Sequence, residues 1–198
     1  KENAFSESDV RLLQTLANSM SVALENARLF TETQRLLKIT EERNAELAII
    51  NSVQAALAAE LNMQDIYDAV GDKMREIFHQ ANVNIRIYDS KTDLIHYPYF
   101  FEDGKRVTID SEPLGEKGFG PYIIRTRETL VINENMAQEM EKYASYLMPG
   151  EQMEKSSLFV PLVVGDQARG IINLKDMQRE NAFSESDVRL LQTLANAM

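Results

Sequence analysis

Residues 156–176 read SSLFVPLVVGDQARGIINLKD. Two apolar runs flank the short turn GDQA, and this pattern predicts a hairpin of two buried strands. The next segment, ENAFSESDVRLLQTLANAM at 180–198, predicts a helix instead. Ser184 is a good N-cap, Asp187 three residues later fits a capping box, and apolar residues follow at helical intervals. The strand pair followed by a helix points to an antiparallel sheet with a terminal helix on one face.

The terminal helix has a second copy near the beginning of the chain. Residues 2–20 and 180–198 agree at 18 of 19 aligned positions, and only Ser19 and Ala197 differ. Because surface positions agree as well as apolar ones, the match indicates a duplicated module with a period of 178 residues. The chain is therefore expected to be a fragment of a longer tandem array. An engineered duplication of one terminal helix is the alternative.

The first part of the chain predicts one long helix. From Ser8 to about Leu61 there is no proline or glycine, and strong helix formers dominate. A helix of ~50 residues is ~80 Å long, which is too long to lie on one small domain. Apolar residues recur along one side of this helix and form a seam, with polar residues in the middle. The pattern favours pairing with the same helix of a second chain, and a single exposed helix is the alternative. The predicted dimer contacts are Leu13, Met20, Leu24, Leu29, Leu36, Leu47, Ile50 and Leu57.

We predict two parts in the chain. Residues 1–43 would hold the terminal helix of a preceding module and a linker helix. Residues 44–198 would form one domain whose own terminal helix is cut short. The division follows from the repeat and from the change of pattern after the long helix.

The second part alternates helices and strand hairpins. Asn62 is expected to cap a helix from Met63 to about Phe78, and period-two alternation then predicts two strands within residues 82–102. Further on we expect a short strand near Val107–Ile109, a glycine-rich loop opening a short helix, the strand LVI, and a polar helix and loop over 134–155. Hairpins dominate, so the fold class is predicted as α+β, with a largely antiparallel central sheet between two layers of helices.

Composition excludes several classes of function. The net charge of −10 argues against a surface for nucleic acid or anionic membranes, which needs clustered positive charge. The absence of cysteine removes thiol catalysis, disulfides, thiolate metal sites and thioether attachment of a chromophore. No apolar run approaches the ~20 residues that span a bilayer. His79 and His96 are isolated, so we expect structural roles, no metal site and no enzymatic activity.

The quoted segments resemble the GAF domain, the ligand-sensing module of signalling proteins. The resemblance covers residues 45–198 and rests on the last strand pair and on two further motifs. ENAFSESDVRLLQTLA is similar to the family's Phe-Ser-x-x-Asp-x-x-Leu-Leu helix, and GFGPYIIRTRETLVIN is similar to its Gly-x-Gly helix and short strand. Multi-GAF arrays joined by long helices are a known arrangement in this family.

The resemblance implies a non-catalytic regulatory domain of a cytoplasmic signal-transduction protein. It would bind a small ligand without a covalent bond and without a cofactor. Long dimeric helices would then pass the change to an output domain of the same polypeptide, of the histidine kinase or nucleotide cyclase type. A ligand-free dimerisation or spacer module is the alternative.

Three branches of the family have signatures that can be compared with this chain. The cyclic-nucleotide signature is roughly echoed at Asn173, Lys175, Phe183 and Asp187. Leu174 and Val188 depart from it, so the resemblance does not imply cyclic-nucleotide binding. An ion pair between Lys175 and Asp187, bracing the last strand to the last helix, is still expected. The bilin-binding and methionine-sulfoxide-reducing branches need cysteines that this chain lacks.

In this family, ligands lie between the sheet and the middle helical segments. By that resemblance, the candidate ligand-binding residues are Tyr97, Tyr99, Phe101, Phe119, Tyr122, Ile123, Asn133, Asn135 and Phe159. Aromatic walls with a few hydrogen-bonding groups are the usual make-up of a small-molecule site. Packing in the core is the alternative for each of these residues.

Overall fold

The computed structural model describes residues 6–59, 62–79, 82–147 and 152–198. It divides into two compact units, Lys1–Ala48 and Ile49–Met198. The boundary expected between residues 43 and 44 separates a linker helix from a domain of an array, and it stays a prediction.

The first unit is built on helix α1 (Glu7–Ala59), which confirms the long helix expected from the sequence. The helix begins with a reciprocal cap, in which the Asp9 amide donates to Ser6 Oγ and the Ser6 amide donates to an Asp9 carboxylate oxygen. Ion pairs one turn apart, such as Glu25 with Arg28 at 2.9 Å, lie on its exposed surface. Such exposed pairs contribute only a few tenths of a kcal/mol each, so they are not the main source of stability for this helix.

The second unit begins with the last part of α1, from Ile49, and continues with helix α2 (Met63–Phe78), as predicted. Asn62 caps it, since its side-chain oxygen accepts from the Asp65 amide at 2.9 Å. Val70, Gly71 and Met74 form the buried face of the helix.

Seven strands form one sheet in which every pair is antiparallel. The strands are β1 (Asn82–Asp89), β2 (Leu94–Glu102), β3 (Lys105–Arg106), β4 (Glu112–Pro113), β5 (Leu130–Ile132), β6 (Ser156–Val164) and β7 (Gln167–Asp176). Their order is β3-β2-β1-β7-β6-β5, and β4 pairs with β2. The remaining helices are α3 (Phe119–Thr126), α4 (Met136–Lys142) and α5 (Glu185–Ala197).

The strand expected near Val107–Ile109 was wrong in position. The chain pairs instead with the two ends of β2, through β3 at one end and β4 at the other. Pro98 lies in the middle of β2 and has no N–H to donate, so a continuous partner strand would lose a ladder bond there.

Two hydrophobic cores lie on opposite faces of the sheet and produce the three layers that were predicted. One packs the sheet against α2 and α5, with Met74, Ile85, Tyr99, Leu158, Leu191 and Leu194 all fully buried. The other packs the opposite face against α3 and α4, through Phe119, Ile123, Met136, Phe159 and Ile171. The fold class is therefore α+β, as expected.

The capping box of α5 offers a test that uses the repeat as its control. The Asp187 amide donates to Ser184 Oγ, and the Ser184 amide donates back to the Asp187 carboxylate. We expect Ser184→Ala to lower the free energy of unfolding of the second unit by about 1 kcal/mol. Ser6→Ala removes the same cap from α1 and should leave that transition unchanged. All seven tyrosines lie beyond residue 48, so tyrosine fluorescence during urea unfolding reports on this unit alone.

Candidate functional site

A cavity of about 230 Å³ lies between the sheet, the beginning of α3 and the segment that follows α4. Its lining includes apolar rings and charged groups, among them Arg86, Glu112, Phe119, Glu154, Phe159 and Lys175. The cavity therefore lies on the face of the sheet opposite α2 and α5.

The beginning of α3 forms one wall of the cavity. Gly118 has a φ of 103°, a conformation open to glycine and strained for other residues, and it has no side chain to cap the helix. Its amide donates to the Tyr143 carbonyl at 2.9 Å, which ties the wall to the end of α4. The sequence GFG thus serves as a tight turn that brings the backbone of Phe119 and Gly120 to the cavity.

Polar side chains from three adjacent strands form a buried hydrogen-bonded network next to the cavity, and this network meets the cavity lining at Arg86 and Glu154. The Asn84 amide donates to Asn173 Oδ1 at 3.1 Å, and the Asn173 amide donates to Ser157 Oγ at 3.1 Å. Ser157 Oγ lies 3.4 Å from a carboxylate oxygen of Glu154. All four side chains are buried, so each hydrogen bond replaces one that water would otherwise supply.

Arg86 adds a positive charge to this network and itself lines the cavity. Its Nε donates to Asn84 Oδ1 at 2.9 Å, which orients the side chain, and its guanidinium carbon lies 5.8 Å from the centre of the Tyr97 ring. In the described parts of the chain, its two terminal nitrogens have no hydrogen-bond acceptor. The guanidinium can therefore donate to a bound acceptor.

Other charged groups surround Arg86. The Lys175 ammonium lies 3.9 Å from the Glu102 carboxylate, too far for a hydrogen bond, and Lys117 lies at the rim. Glu112 accepts a short hydrogen bond from the Tyr97 hydroxyl. Burial raises the pKa of Tyr97, so the phenol keeps its proton and acts as the donor.

The structure places two of the predicted ligand-binding residues in the lining of the cavity and two more, Tyr97 and Tyr122, outside the lining on the same face of the sheet. Phe119 and Phe159 line it, with ring centres 5.3 Å apart. Tyr97 stands behind it, against Arg86 and Phe100. Tyr122 packs beside the second core and directs its hydroxyl to Glu128 at 2.9 Å.

Tyr99 and Phe101 do not share a cavity wall with Tyr97, and that expectation was wrong. Both lie on the opposite face, where their rings stack 6.4 Å apart and Tyr99 donates to Asp72 at 2.7 Å. The cause is an extra residue in β2: Ile85 pairs with Tyr99, whereas Ile87 pairs with His96. This bulge breaks the alternation that would otherwise place the three rings on one face of the sheet.

Three further residues that were predicted to bind the ligand have structural positions in the fold. Ile123 is fully buried in the second core. The Asn133 side chain bonds both backbone groups of Phe183, which anchors the end of β5 to the segment before α5. Asn135 begins α4 with a φ of 55° and makes no side-chain cap.

The ion pair expected between Lys175 and Asp187 does not form. Asp187 is held by the capping box of α5, and Lys175 lies on the cavity face of β7 near Glu102. Asp187 begins a helix on the other side of the sheet, so the two residues are separated by the sheet itself.

Sequence reasoning missed Asn84, Arg86, Ser157 and Glu154. The signal was present in NVNIRI, where polar residues alternate with Val83, Ile85 and Ile87. In a two-layer protein such a polar row faces water. In a three-layer fold that face is covered, so a polar row there indicates a site.

The described residues contain no cluster of three or more His, Asp or Glu placed to hold a metal ion. His96 Nδ1 lies 2.7 Å from Ser111 Oγ, and His79 ends α2 with a φ of 51°. Over the same residues, none of the helices combines the length and the apolar character that a membrane span requires.

Comparison with known proteins gives a consistent picture of the fold. Residues 60–198 match the family model described as GAF domain. The GAF domain of a phosphoenolpyruvate-protein phosphotransferase from Acinetobacter is 19% identical, with a TM-score of 0.64 over 78% of this chain and 90% of that one. A free methionine-R-sulfoxide reductase from Neisseria meningitidis is 15% identical, with a TM-score of 0.62 over 77% and 84%.

A segment of a methyl-accepting chemotaxis protein is 14% identical, with a TM-score of 0.62 over 73% of this chain and 91% of that one. At such identities these structures show a common fold and nothing more. No curated protein matches the chain.

Proposed function

Because the chain belongs to the GAF domain family, we propose that its second unit is a non-catalytic sensory module that binds a small ligand without a covalent bond. The observation that carries this proposal is the cavity beside α3, into which Arg86 can donate hydrogen bonds that no described residue accepts. One similar structure is a reductase. The present chain has no cysteine, so we propose that it performs no thiol chemistry of its own.

The lining of the cavity favours a ligand with an anionic group. Three cationic side chains, Arg86, Lys117 and Lys175, face two carboxylates, Glu112 and Glu154. Glu102, outside the lining, lies 3.9 Å from Lys175 and offsets part of this positive charge, which leaves Arg86 as the principal anion-binding group. A guanidinium binds carboxylate or phosphate through paired hydrogen bonds, and a cavity of about 230 Å³, below the usual range of ligand sites, would hold only a small anion.

The ligand prediction can be tested at Arg86. A thermal-shift screen of carboxylate and phosphate metabolites should give a compound that stabilises the protein. We expect Arg86→Met to weaken its binding about 10- to 100-fold in calorimetric titration, because a hydrogen bond to a charged group contributes about 1.5–3 kcal/mol.

Arg169→Met is the matched control, since Arg169 is an exposed arginine of the same sheet that contacts Ser90. It should bind the compound as the unaltered protein does. Equal affinity in Arg86→Met would contradict the assigned site.

We further propose that the long helix of α1 pairs with that of a second chain and carries the signal. Leu24, Leu29, Leu36 and Leu47 are each more than half exposed, which is unusual for leucine. Ile50 packs on the core of the second unit and is not free to pair, and the side chain of Leu57 lies outside the described residues.

The dimer is tested with charges on the predicted seam. We expect the double variant Leu29→Asp and Leu36→Asp to weaken dimerisation at least about 100-fold in light scattering, because four leucines per dimer lose their burial. Leu37→Asp places the same charge on an equally exposed leucine outside the seam and should leave the dimer intact. A monomeric parent protein at high concentration would end this proposal.

Within this proposal the duplicated segment belongs to a preceding GAF module of a cytoplasmic tandem array. The paired helices would bias an output domain of the same polypeptide, of the histidine kinase or nucleotide cyclase type. Such coupling requires that the ligand bind one helix arrangement more tightly than another.

A ligand-free spacer is the second candidate. The observation that favours it is the small cavity, which at about 230 Å³ falls below the usual range of ligand sites. If no compound in the screen raises the unfolding temperature while the dimer forms normally, the spacer function is favoured.

A further inference from the structure

Residues 6–20 have nearly the sequence of the helix that covers the sheet, yet the same apolar face is exposed there. In α5 the inward residues Leu190, Leu191 and Leu194 are 9%, 0% and 0% exposed. The repeat aligns them with Leu12, Leu13 and Leu16, which are 60%, 57% and 51% exposed. The two sets differ in surroundings and not in chemistry.

The two helices also begin alike. The cap made by Ser184 and Asp187 at the start of α5 recurs with Ser6 and Asp9 at the start of α1. Residues 6–20 are therefore already a helix with its apolar face formed. Docking onto a matching surface would cost little further ordering of the backbone.

The matching surface is the one that holds α5, which we term the α5 seat. Its floor is β6, which contributes Leu158 and Val160 to the first core, and Thr129 lies at its edge. Gln192 of α5 donates to Thr129 Oγ1 at 2.8 Å, and the repeat places Gln14 at the equivalent position. Ser19 and Ala197, the one differing pair, lie outside the buried set.

We propose that residues 6–20 are a docking helix for the α5 seat of a second copy of this chain, where they compete with that copy's own α5. The argument for this occupant is the sequence itself: a seat that fits α5 fits residues 6–20 by the same contacts. The copy's own α5 is favoured by its tether, which acts as a high effective concentration, so docking between chains should rise with protein concentration.

This interaction goes beyond the proposed function, in which residues 6–20 cover the sheet of a preceding module, and it concerns the present chain, where their apolar face is exposed. It does not depend on any ligand. It assigns Leu13 to a sheet rather than to the paired-helix seam. The seam keeps Met20–Leu47, because Met198, the equivalent of Met20 at the end of α5, is 36% exposed. The two contacts predict different cross-links between chains, so each can fail without the other.

The test uses the absence of cysteine, which makes any disulfide an engineered one. In the full chain, Gln14→Cys with Thr129→Cys should give a disulfide-linked dimer under mild oxidation, with residue 14 of one chain joined to residue 129 of the other. Peptide mass spectrometry identifies the linked residues. Gln192→Cys with Thr129→Cys is the control and should link within one chain.

Two further variants test whether residues 6–20 and α5 compete for the same surface. In the Gln14→Cys and Thr129→Cys background, Leu191→Ala weakens only the resident α5 and should raise the yield of the interchain link at least about tenfold. Leu13→Ala weakens only the incoming helix and should lower it by a similar factor. Tyrosine fluorescence verifies that both variants remain folded.

The proposal is overturned if the control links and the 14-to-129 link between chains does not form. A link from residue 14 to residue 14 alone overturns it too, since that product reports paired helices. A 14-to-129 link confined to one chain does the same.

Discussion

Gly170→Ala should destabilise the second unit by about 3 kcal/mol or more, the upper end of the usual cost of overpacking. Gly170 lies in β7, between Ile87 of β1 and Leu162 of β6. A Cβ at this position would overlap the carbonyl oxygen of Arg86 and come within 3.1 Å of both neighbouring side chains. Backbone atoms of a central strand cannot rotate away, so the sheet itself would have to shift.

Gly120→Ala is the matched control for this prediction. The atoms nearest to its added Cβ would be 3.9–4.0 Å away, which is ordinary van der Waals contact, and alanine is the better helix former. Urea unfolding followed by tyrosine fluorescence measures both variants. If Gly170→Ala lowers the free energy of unfolding by less than about 1 kcal/mol, then β1 and β7 can move apart to admit the added methyl group, which contradicts the prediction.

Asn173→Ala should cost about 3 kcal/mol of unfolding free energy and should also weaken ligand binding. The Asn173 side chain is fully buried, donates to Ser157 Oγ and to backbone carbonyls, and accepts from Asn84. Its loss leaves buried groups without partners, at about 1–3 kcal/mol each. Asn84 in turn orients Arg86, so the effect reaches the cavity.

A double-mutant cycle separates this network from simple loss of volume. Once Asn84 is alanine, Asn173→Ala removes fewer hydrogen bonds and should cost less than it does alone. Asn196→Ala, at an exposed position of α5, should change stability little. Strict additivity of the Asn84 and Asn173 effects would show that the two amides do not act together.

The sequence predicted those parts of the fold that depend on local signals. The long helix followed from a stretch without proline or glycine, and α2 and α5 followed from the caps at Asn62 and Ser184. The hairpin of β6 and β7 followed from two apolar runs and a short turn. Each of these depends on residues close together in the chain.

The site was harder to predict because it depends on pairing between distant strands. Asn84, Ser157 and Asn173 meet only because β1, β7 and β6 are neighbours in the sheet. Lys175 and Asp187 were expected to meet because they are near each other in sequence, yet the sheet lies between them. The framework role of Asn133 depends on Phe183, which is 50 residues away.

The bulge in β2 places the two tyrosines of this strand on opposite faces of the sheet. Tyr97 stands behind the cavity and Tyr99 lies in the core under α2, although one residue separates them. The extra residue lets Tyr97 before it and Phe100 after it lie on the cavity side, while Tyr99 and Phe101 lie on the other face. Removing that residue would therefore turn Tyr97 toward the core and leave Arg86 without its aromatic neighbour.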